Sequence, residues 1–266
     1  MYYTQLYWEF IKIRVQAQMT DRAAFFFLAL GKVVGFGAEA LVIWIMVDRF
    51  KTIGSWSSNE IMFLYALNLI TYSLAAFFLY HPFTKLPIRI QAGEFDEILT
   101  KPLNGLFYLI SREVSTGYFG NLTIAILIGA LSLSKLAIGL NPVKVLFLSL
   151  AILGGTLIQG AILIFAYTPS FWLVQNNSFS RILMDFRSFT RFPLSIYHGG
   201  IQVFLTVVLP YAFINYYPAH YFLEKNELSL FHPIFQYLSL PMGFFLFGAA
   251  YLFWSFALKH YKSTGS

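Results

Sequence analysis

The chain has 266 residues, of which 58% are hydrophobic and only 11% are charged. Soluble domains carry roughly 25% charged residues. A water-soluble fold this poor in charge could not cover its surface, so the composition indicates a protein in lipid. The net charge is +6, and its basic residues lie between apolar runs, which favours membrane loops over a nucleic-acid-binding face. The absence of cysteine excludes disulfides and cysteine-ligated metal.

The first 22 residues predict an interfacial helix. Within residues 3–17, polar side chains recur at helical spacing on one side and apolar ones on the other. The polar stripe is Gln5, Glu9, Lys12 and Gln16, and the apolar stripe is Tyr3, Leu6, Tyr7, Phe10 and Ile13. Such a segment suits the plane of the membrane interface. A helix that packs on a soluble surface is the alternative.

Six apolar runs follow, each long enough to cross a bilayer. The predicted spans are residues 23–47, 61–80, 107–133, 143–167, 196–217 and 235–258. His81 and Pro82 are expected to end the second span, and Pro210 is expected to kink the fifth. The pattern predicts an all-α membrane protein with six transmembrane helices, folded as a single transmembrane domain over residues 1–266.

The first span contains two ionisable residues, Lys32 and Glu39, seven residues apart and therefore about two helical turns along one face. Ionisable groups within a span usually face a protein interior or a wet cavity. One interpretation is that the two residues line a pathway or a subunit interface. The other is that Lys32 extends towards the interface while Glu39 joins a local polar network.

A short charged stretch, residues 93–102, separates the second and third spans. Gly93 precedes it and Pro102 prevents its continuation as a helix. Acids occupy the expected first turn and a base the far end, as the helix dipole favours. These charged residues are Glu94, Asp96, Glu97 and Lys101. Phe95, Ile98 and Leu99 fall at i, i+3 and i+4, which predicts one apolar patch able to dock against another surface.

The distribution of basic residues predicts which loops are cytoplasmic. With six spans, twelve lysines and arginines lie on the side of the two termini and five on the other side. The positive-inside rule therefore places both termini and residues 93–102 in the cytoplasm. Residues 178–192, amphipathic at helical spacing, are expected on the same side as an interfacial helix over acidic lipid headgroups.

The sequence carries no recognisable catalytic motif. Gly31 and Lys32 lack the upstream glycine and following serine or threonine of a phosphate-binding loop. The five histidines are far apart in sequence, so a histidine metal site is not expected. The chain is therefore not expected to be an enzyme or to hydrolyse ATP, and its energy would come from a partner or a gradient.

Four stretches, taken together with their positions between the spans, resemble those of a known family. They are residues 93–104, 171–173, 191–197 and 210–219. The chain resembles the membrane (permease) subunit of a type-2 ATP-binding-cassette (ABC) exporter, in the multidrug or daunorubicin-type branch. The resemblance extends over essentially the whole chain.

The resemblance implies that residues 93–102 form the cytoplasmic coupling helix, which docks on a separate ATP-binding subunit. The residues assigned to it are Gly93, Glu94, Phe95, Asp96, Glu97, Ile98, Leu99, Lys101 and Pro102. It also implies a second permease subunit, identical or homologous, and a bacterial inner-membrane location. ATP and magnesium would bind in the partner, and this chain would hold no cofactor. Two alternatives stay open: a gradient-driven carrier that uses Lys32 and Glu39, and a membrane enzyme that modifies lipid.

Overall fold

The computed structural model describes residues 2–20, 22–50, 52–136, 138–173, 177–225 and 230–262. Within these ranges the protein is an all-α membrane protein, apart from a two-stranded hairpin that pairs Thr52–Ile53 (β1) with Trp56–Ser57 (β2). The helices are α1 (Tyr2–Met19), α2 (Arg22–Phe50), α3 (Ser58–Thr84), α4 (Leu86–Gln91), α5 (Glu94–Leu99), α6 (Gly105–Arg112), α7 (Tyr118–Lys135), α8 (Pro142–Tyr167), α9 (Asn177–Asp185), α10 (Gly199–Val203), α11 (Tyr216–Phe222) and α12 (Ser239–Lys259). Tighter 3-10 turns cover Thr168–Phe171, Phe186–Arg191, Leu194–Ile196, Tyr211–Phe213 and Pro233–Tyr237, and a π-helix covers Phe204–Val208.

Two helix pairs form the centre of the fold, α8 with α12 and α3 with α7. α8 and α12 approach each other most closely at glycines. A Cβ atom on Gly243 would lie 2.6 Å from the carbonyl oxygen of Gly154, and one on Gly154 would lie 2.5 Å from the backbone of Ser239. In lipid, helices associate through close packing, and small residues allow the backbones to meet. Glycine is therefore required at both positions.

Four helical stretches in the described part of the chain are long and apolar enough to cross a membrane. They are Ser58–Gln91, Tyr118–Lys135, Pro142–Phe171 and Ser239–Lys259. A fifth results if Gly199–Val208 and Tyr211–Phe222 count as one broken span. The predicted first span lies in α2, whose 29 residues extend over roughly 44 Å, but α2 is not among these apolar stretches. The count of six spans stays a prediction.

The prediction that the second span stops at His81 and Pro82 is wrong, because α3 continues through both to Thr84. Proline has no N–H and disturbs the preceding helical turn, so nearby backbone groups need other partners. Ser115 supplies them. Its N–H donates to the carbonyl of Phe77 at 2.9 Å, and its Oγ accepts from the N–H of His81 at 3.2 Å. The proline is thus accommodated by a neighbouring segment.

The predicted third span, 107–133, is two helices. α6 ends at Arg112, and α7 begins only at Tyr118. Between them Ser115 bonds to α3 as described above, so this segment pairs with a neighbouring helix and does not extend α7. The apolar run that begins at Val114 therefore starts before the membrane-spanning helix does, and hydropathy alone places the boundary too early.

The predicted fifth span, 196–217, is broken at Pro210, where we expected only a kink. The helical segments on its two sides are bent by 79°. The π-helix ends just before Leu209, and the chain resumes as a 3-10 turn followed by α11. Tyr217 and Phe222 of α11 are fully buried. The second half of this segment therefore turns into the core instead of running straight on.

α1 packs on α6 through part of its apolar stripe. The ring centroids of Tyr7 and Phe107 are 6.0 Å apart, and those of Phe10 and Tyr108 are 6.1 Å apart. Ile13 was placed on the same stripe but is 59% exposed. The amphipathic pattern thus predicts the helix and the side of it that packs at Tyr7 and Phe10, while its position in the membrane interface stays a prediction.

Candidate functional site

The coupling segment, which we define as α4, α5 and the turn between them, lies directly after α3. The turn depends on Gly93, whose φ of +71° belongs to the left-handed region that favours glycine. The N–H of Gly93 donates to the carbonyl of Ile90 at 3.1 Å, and the carbonyl of Gly93 accepts from the N–H of Asp96 at 3.2 Å. This glycine therefore sets the angle at which α5 leaves α4.

The predicted docking patch is wrong for two of its three residues. Phe95 and Ile98 are fully buried within the chain, whereas Leu99 is 44% exposed. The Phe95 ring lies 5.1 Å from that of Phe171 and 5.3 Å from that of Tyr261, between centroids. The i, i+3, i+4 spacing correctly indicates an apolar face, but this face packs on the protein's own helix ends. Phe95 and Ile98 anchor the segment and cannot touch a partner.

The surface that the coupling segment leaves exposed is mixed apolar and acidic. Ile88 of α4 is 67% exposed, and Leu99, Glu94 and Glu97 of α5 are also exposed. Glu97 forms ion pairs with two bases that follow it in the chain, Lys101 at 3.5 Å and Arg112 at 3.7 Å. Pro102 lies in the bend after α5 and is exposed. A partner would therefore meet a small apolar edge beside carboxylates.

An ionic contact holds α4 to the break between α6 and α7. The Arg89 side chain is only 8% exposed and forms an ion pair with Glu113, which Lys85 also approaches at 3.4 Å. Buried charges are tolerated when they are paired. The coupling segment is therefore attached at two places, through Arg89 on α4 and through Phe95 on α5.

Lys32 and Glu39 do not contact each other, although they share α2. The carboxylate of Glu39 pairs with Nε of Arg191 at 2.5 Å. The Nζ atom of Lys32 lies 3.2 Å from the centroid of the Tyr118 ring and 5.8 Å from that of Tyr80. The two residues therefore serve separate local environments, and the structure offers no Lys32–Glu39 relay.

Beside Glu39 lies a chain of buried amides and a hydroxyl that links three parts of the fold. The side chain of Gln159 donates to that of Asn68 at 3.0 Å, and Asn68 donates to the hydroxyl of Thr190 at 2.5 Å. Asn215 donates to the carbonyl of Thr190 at 2.7 Å. Thr190 precedes Arg191, so this network fixes the turn that carries the partner of Glu39.

Sequence reasoning missed the arginines of residues 178–192. We expected one helix with its bases over lipid headgroups, but α9 ends at Asp185 and a 3-10 turn follows. Arg191 reaches Glu39, and the guanidinium carbon of Arg187 lies 3.7 Å from the centroid of Tyr72. Both point into the bundle. A signal was available, because Glu39 in an apolar helix needs a basic partner and this loop is rich in arginine.

Metal ligands do not cluster in the part of the chain that the structure describes: no group of three or more histidine, aspartate or glutamate residues there could hold an ion. Two histidines have a structural task. Nδ1 of His198 accepts from the N–H of Gly200 at 3.3 Å, and Nδ1 of His232 accepts from that of Ile234 at 3.2 Å, so each caps a helical turn.

Comparison with known proteins identifies the family. Residues 33–265 match the family model described as ABC-2 family transporter protein. No curated protein and no solved structure matches the chain. The match covers every membrane-spanning candidate and the coupling segment, and this family is a transporter membrane component, not a catalytic one. The chain therefore belongs to the ABC-2 family and is a multi-pass ABC transporter permease.

Proposed function

We propose that the chain is the permease of an exporter and that its coupling segment receives the movement of a separate ATP-binding subunit. The observation that carries this is the division of the segment into two sides. Phe95 and Ile98 are buried in the membrane domain, whereas Ile88 and Leu99 are exposed. A segment held firmly by one side and open on the other suits transmission of force between two proteins.

The anchoring explains how a small displacement would spread. Phe95 contacts the 3-10 turn after α8 and the end of α12, where Trp254 lies 6.2 Å away between ring centroids. Arg89 is paired with Glu113 before α7. A partner that tilts α4 and α5 would thus move three helix ends together. Closely packed interiors transmit such shifts as rigid bodies.

The energy source lies in the partner under this proposal. ATP and magnesium would bind there, and nucleotide would favour one of two states of the permease by differential binding. A second permease subunit, identical or homologous, would complete the pathway. Residues such as Phe27, Val34 and Ile45 on the outer face of α2 are 53–67% exposed and would face that subunit or lipid.

The charge distribution supports an orientation with cytoplasmic termini and a cytoplasmic coupling segment, and the resemblance to exporter permeases supports a bacterial inner-membrane location. Lys85, Arg89, Lys101 and Arg112 all belong to or flank this segment. In this orientation the exposed carboxylates of Glu97 and its neighbours face the cytoplasm, where they could contact an ATP-binding subunit.

Co-purification tests the proposal. The tagged permease is co-expressed with a candidate ATP-binding subunit, and capture is compared between wild type and the double variant Ile88→Asp/Leu99→Asp. Capture should fall because two apolar contacts become charged on an exposed edge. The matched control is Leu230→Asp, which is 66% exposed but lies outside the coupling segment, and which should capture normally. Unchanged capture by the double variant would refute the proposed docking edge.

A further inference from the structure

A cleft between α3, the end of α8 and α9 is lined by tyrosines and arginines. Its volume is about 320 Å³, and it is open to solvent. Tyr72, Tyr80 and Tyr167 form one part of the lining, and Arg181 and Arg187 another. Asp185 is its acidic member. The cleft thus combines aromatic faces with an excess of positive charge.

Beside this cleft two cations flank a hydrogen-bonded pair of tyrosines; Arg187 and Tyr72 line the cleft, whereas Lys32 and Tyr118 lie behind Tyr72. The hydroxyl oxygens of Tyr72 and Tyr118 are 3.3 Å apart, and both rings are more than nine-tenths buried. Arg187 lies over the Tyr72 ring at 3.7 Å, and Lys32 lies over the Tyr118 ring at 3.2 Å. A ring face attracts a cation by its quadrupole, but it does not neutralise the charge.

Neither cation has an acidic partner. Within the described ranges no carboxylate lies within 4.0 Å of Lys32 or Arg187, whereas nearby Arg191 is paired with Glu39. Asp185 lines the same cleft, yet forms no ion pair with Arg187. Charges within a membrane domain are costly unless they are paired. Arg187 lines the open cleft as a half-buried cation with no carboxylate within that distance, which favours the entry of an anion.

We propose that this cleft binds an amphipathic anion. Its carboxylate, phosphate or sulfate group lies against Arg187 and Arg181, and its apolar or aromatic part lies along Tyr72, Tyr80 and Tyr167. Guanidinium groups suit such headgroups, and tyrosine rings provide apolar contact area. As the cargo class of the transporter, this inference rests on the proposed export function, but the binding site itself does not need the partner.

The test measures binding to the purified full chain in phosphatidylcholine nanodiscs. The probe is 11-(dansylamino)undecanoate, detected by energy transfer from tryptophan. Its neutral methyl amide and a dansyl-undecyl-trimethylammonium cation serve as comparisons. The wild type should bind the anion about tenfold or more tightly than either comparison, since each tenfold requires only one good charge-assisted contact. Equal affinity for the three probes would overturn the proposal, whatever the variants do.

Variants then assign the residues. Arg181→Gln/Arg187→Gln should weaken binding of the anionic probe about tenfold or more and leave binding of the cation unchanged or tighter. Arg181→Lys and Arg187→Lys should retain the preference. Lys135→Gln removes an exposed charge at the far end of α7 and should behave as wild type. A folded double glutamine variant that binds the anion with full affinity would refute the assignment.

The source of the anion is separated by lipid composition. If nanodiscs of phosphatidylglycerol displace the probe, the cleft takes the headgroup of a membrane lipid. If the probe binds there as in phosphatidylcholine, the cleft takes a free amphipath. Because the assay contains no ATP-binding subunit, failure of partner capture would overturn the coupling proposal alone, and loss of anion preference would overturn this one alone.

Discussion

The anchoring role of Phe95 leads to a quantitative prediction. Phe95 is fully buried, and its ring contacts those of Phe171, Tyr261 and Trp254. Replacing a buried phenylalanine by alanine costs about 3–5 kcal/mol when the cavity cannot collapse. Leu99 is 44% exposed, so Leu99→Ala removes little packing and should cost about 1 kcal/mol or less.

The assay compares thermal unfolding and partner capture for the same two variants. A chain of this size loses at least about 2 °C of melting temperature for each kcal/mol of lost stability. With the lowest expected cost of about 3 kcal/mol, Phe95→Ala should therefore lower the melting temperature by roughly 6 °C or more. Capture should fall as well, since α5 loses its support. Leu99→Ala should melt as wild type but capture the ATP-binding subunit less well.

The test depends on whether loss of thermal stability and loss of partner capture separate between the two variants. Phe95→Leu, which keeps most of the apolar volume, should restore much of the stability lost in the alanine variant. If Phe95→Ala melts as wild type, or if Leu99→Ala lowers the melting temperature equally, the division of α5 into a buried anchor and an exposed edge is incorrect.

Two further changes probe the membrane interior. Gly243→Ala should destabilise the protein by about 1–3 kcal/mol, because the new methyl group meets the backbone of Gly154. Gly248→Ala on the same helix is the control, since its methyl group has open space and the change should be neutral or stabilising in the same melting experiment. Glu39→Gln should cost about 1 kcal/mol, since the ion pair with Arg191 is partly exposed. In a double-mutant cycle, the loss in the double variant with Arg191→Gln should be smaller than the sum of the two single losses, and strictly additive losses would show that the pair contributes nothing.

Hydropathy and periodicity predict much of this fold, because each reports a local property. The membrane environment follows from composition, the all-α class follows from the length of the apolar runs, and the apolar face of α5 follows from the spacing of Phe95 and Ile98. What covers that face is not local. The aromatic residues Phe171 and Tyr261 that pack on it are distant in sequence, so no pattern within residues 93–102 distinguishes an anchor from a docking patch.

The boundaries that sequence reasoning misplaces are those set by tertiary hydrogen bonds. Pro82 normally ends a helix, but Ser115 satisfies the freed backbone groups of α3 from more than thirty residues away. The same interaction delays the start of α7. Lys32 and Glu39 illustrate the limit for charges: their spacing correctly places both on α2, but each selects a partner from a different element, Tyr118 and Arg191.

The segment between α6 and α7 joins the two functional regions of the molecule. Glu113 holds Arg89 of the coupling segment, Ser115 is bonded to α3, and the Tyr118 hydroxyl is hydrogen-bonded to Tyr72 of the anion cleft. A displacement received at α4 therefore reaches the cleft through six consecutive residues, without crossing the length of a span. If nucleotide on the partner changes the affinity of the cleft for an anion, thermodynamic linkage requires the anion to change nucleotide affinity by the same factor. Binding of an anion in the cleft would then change the nucleotide affinity of the ATP-binding subunit, through the same contacts that transmit the movement of that subunit to the permease.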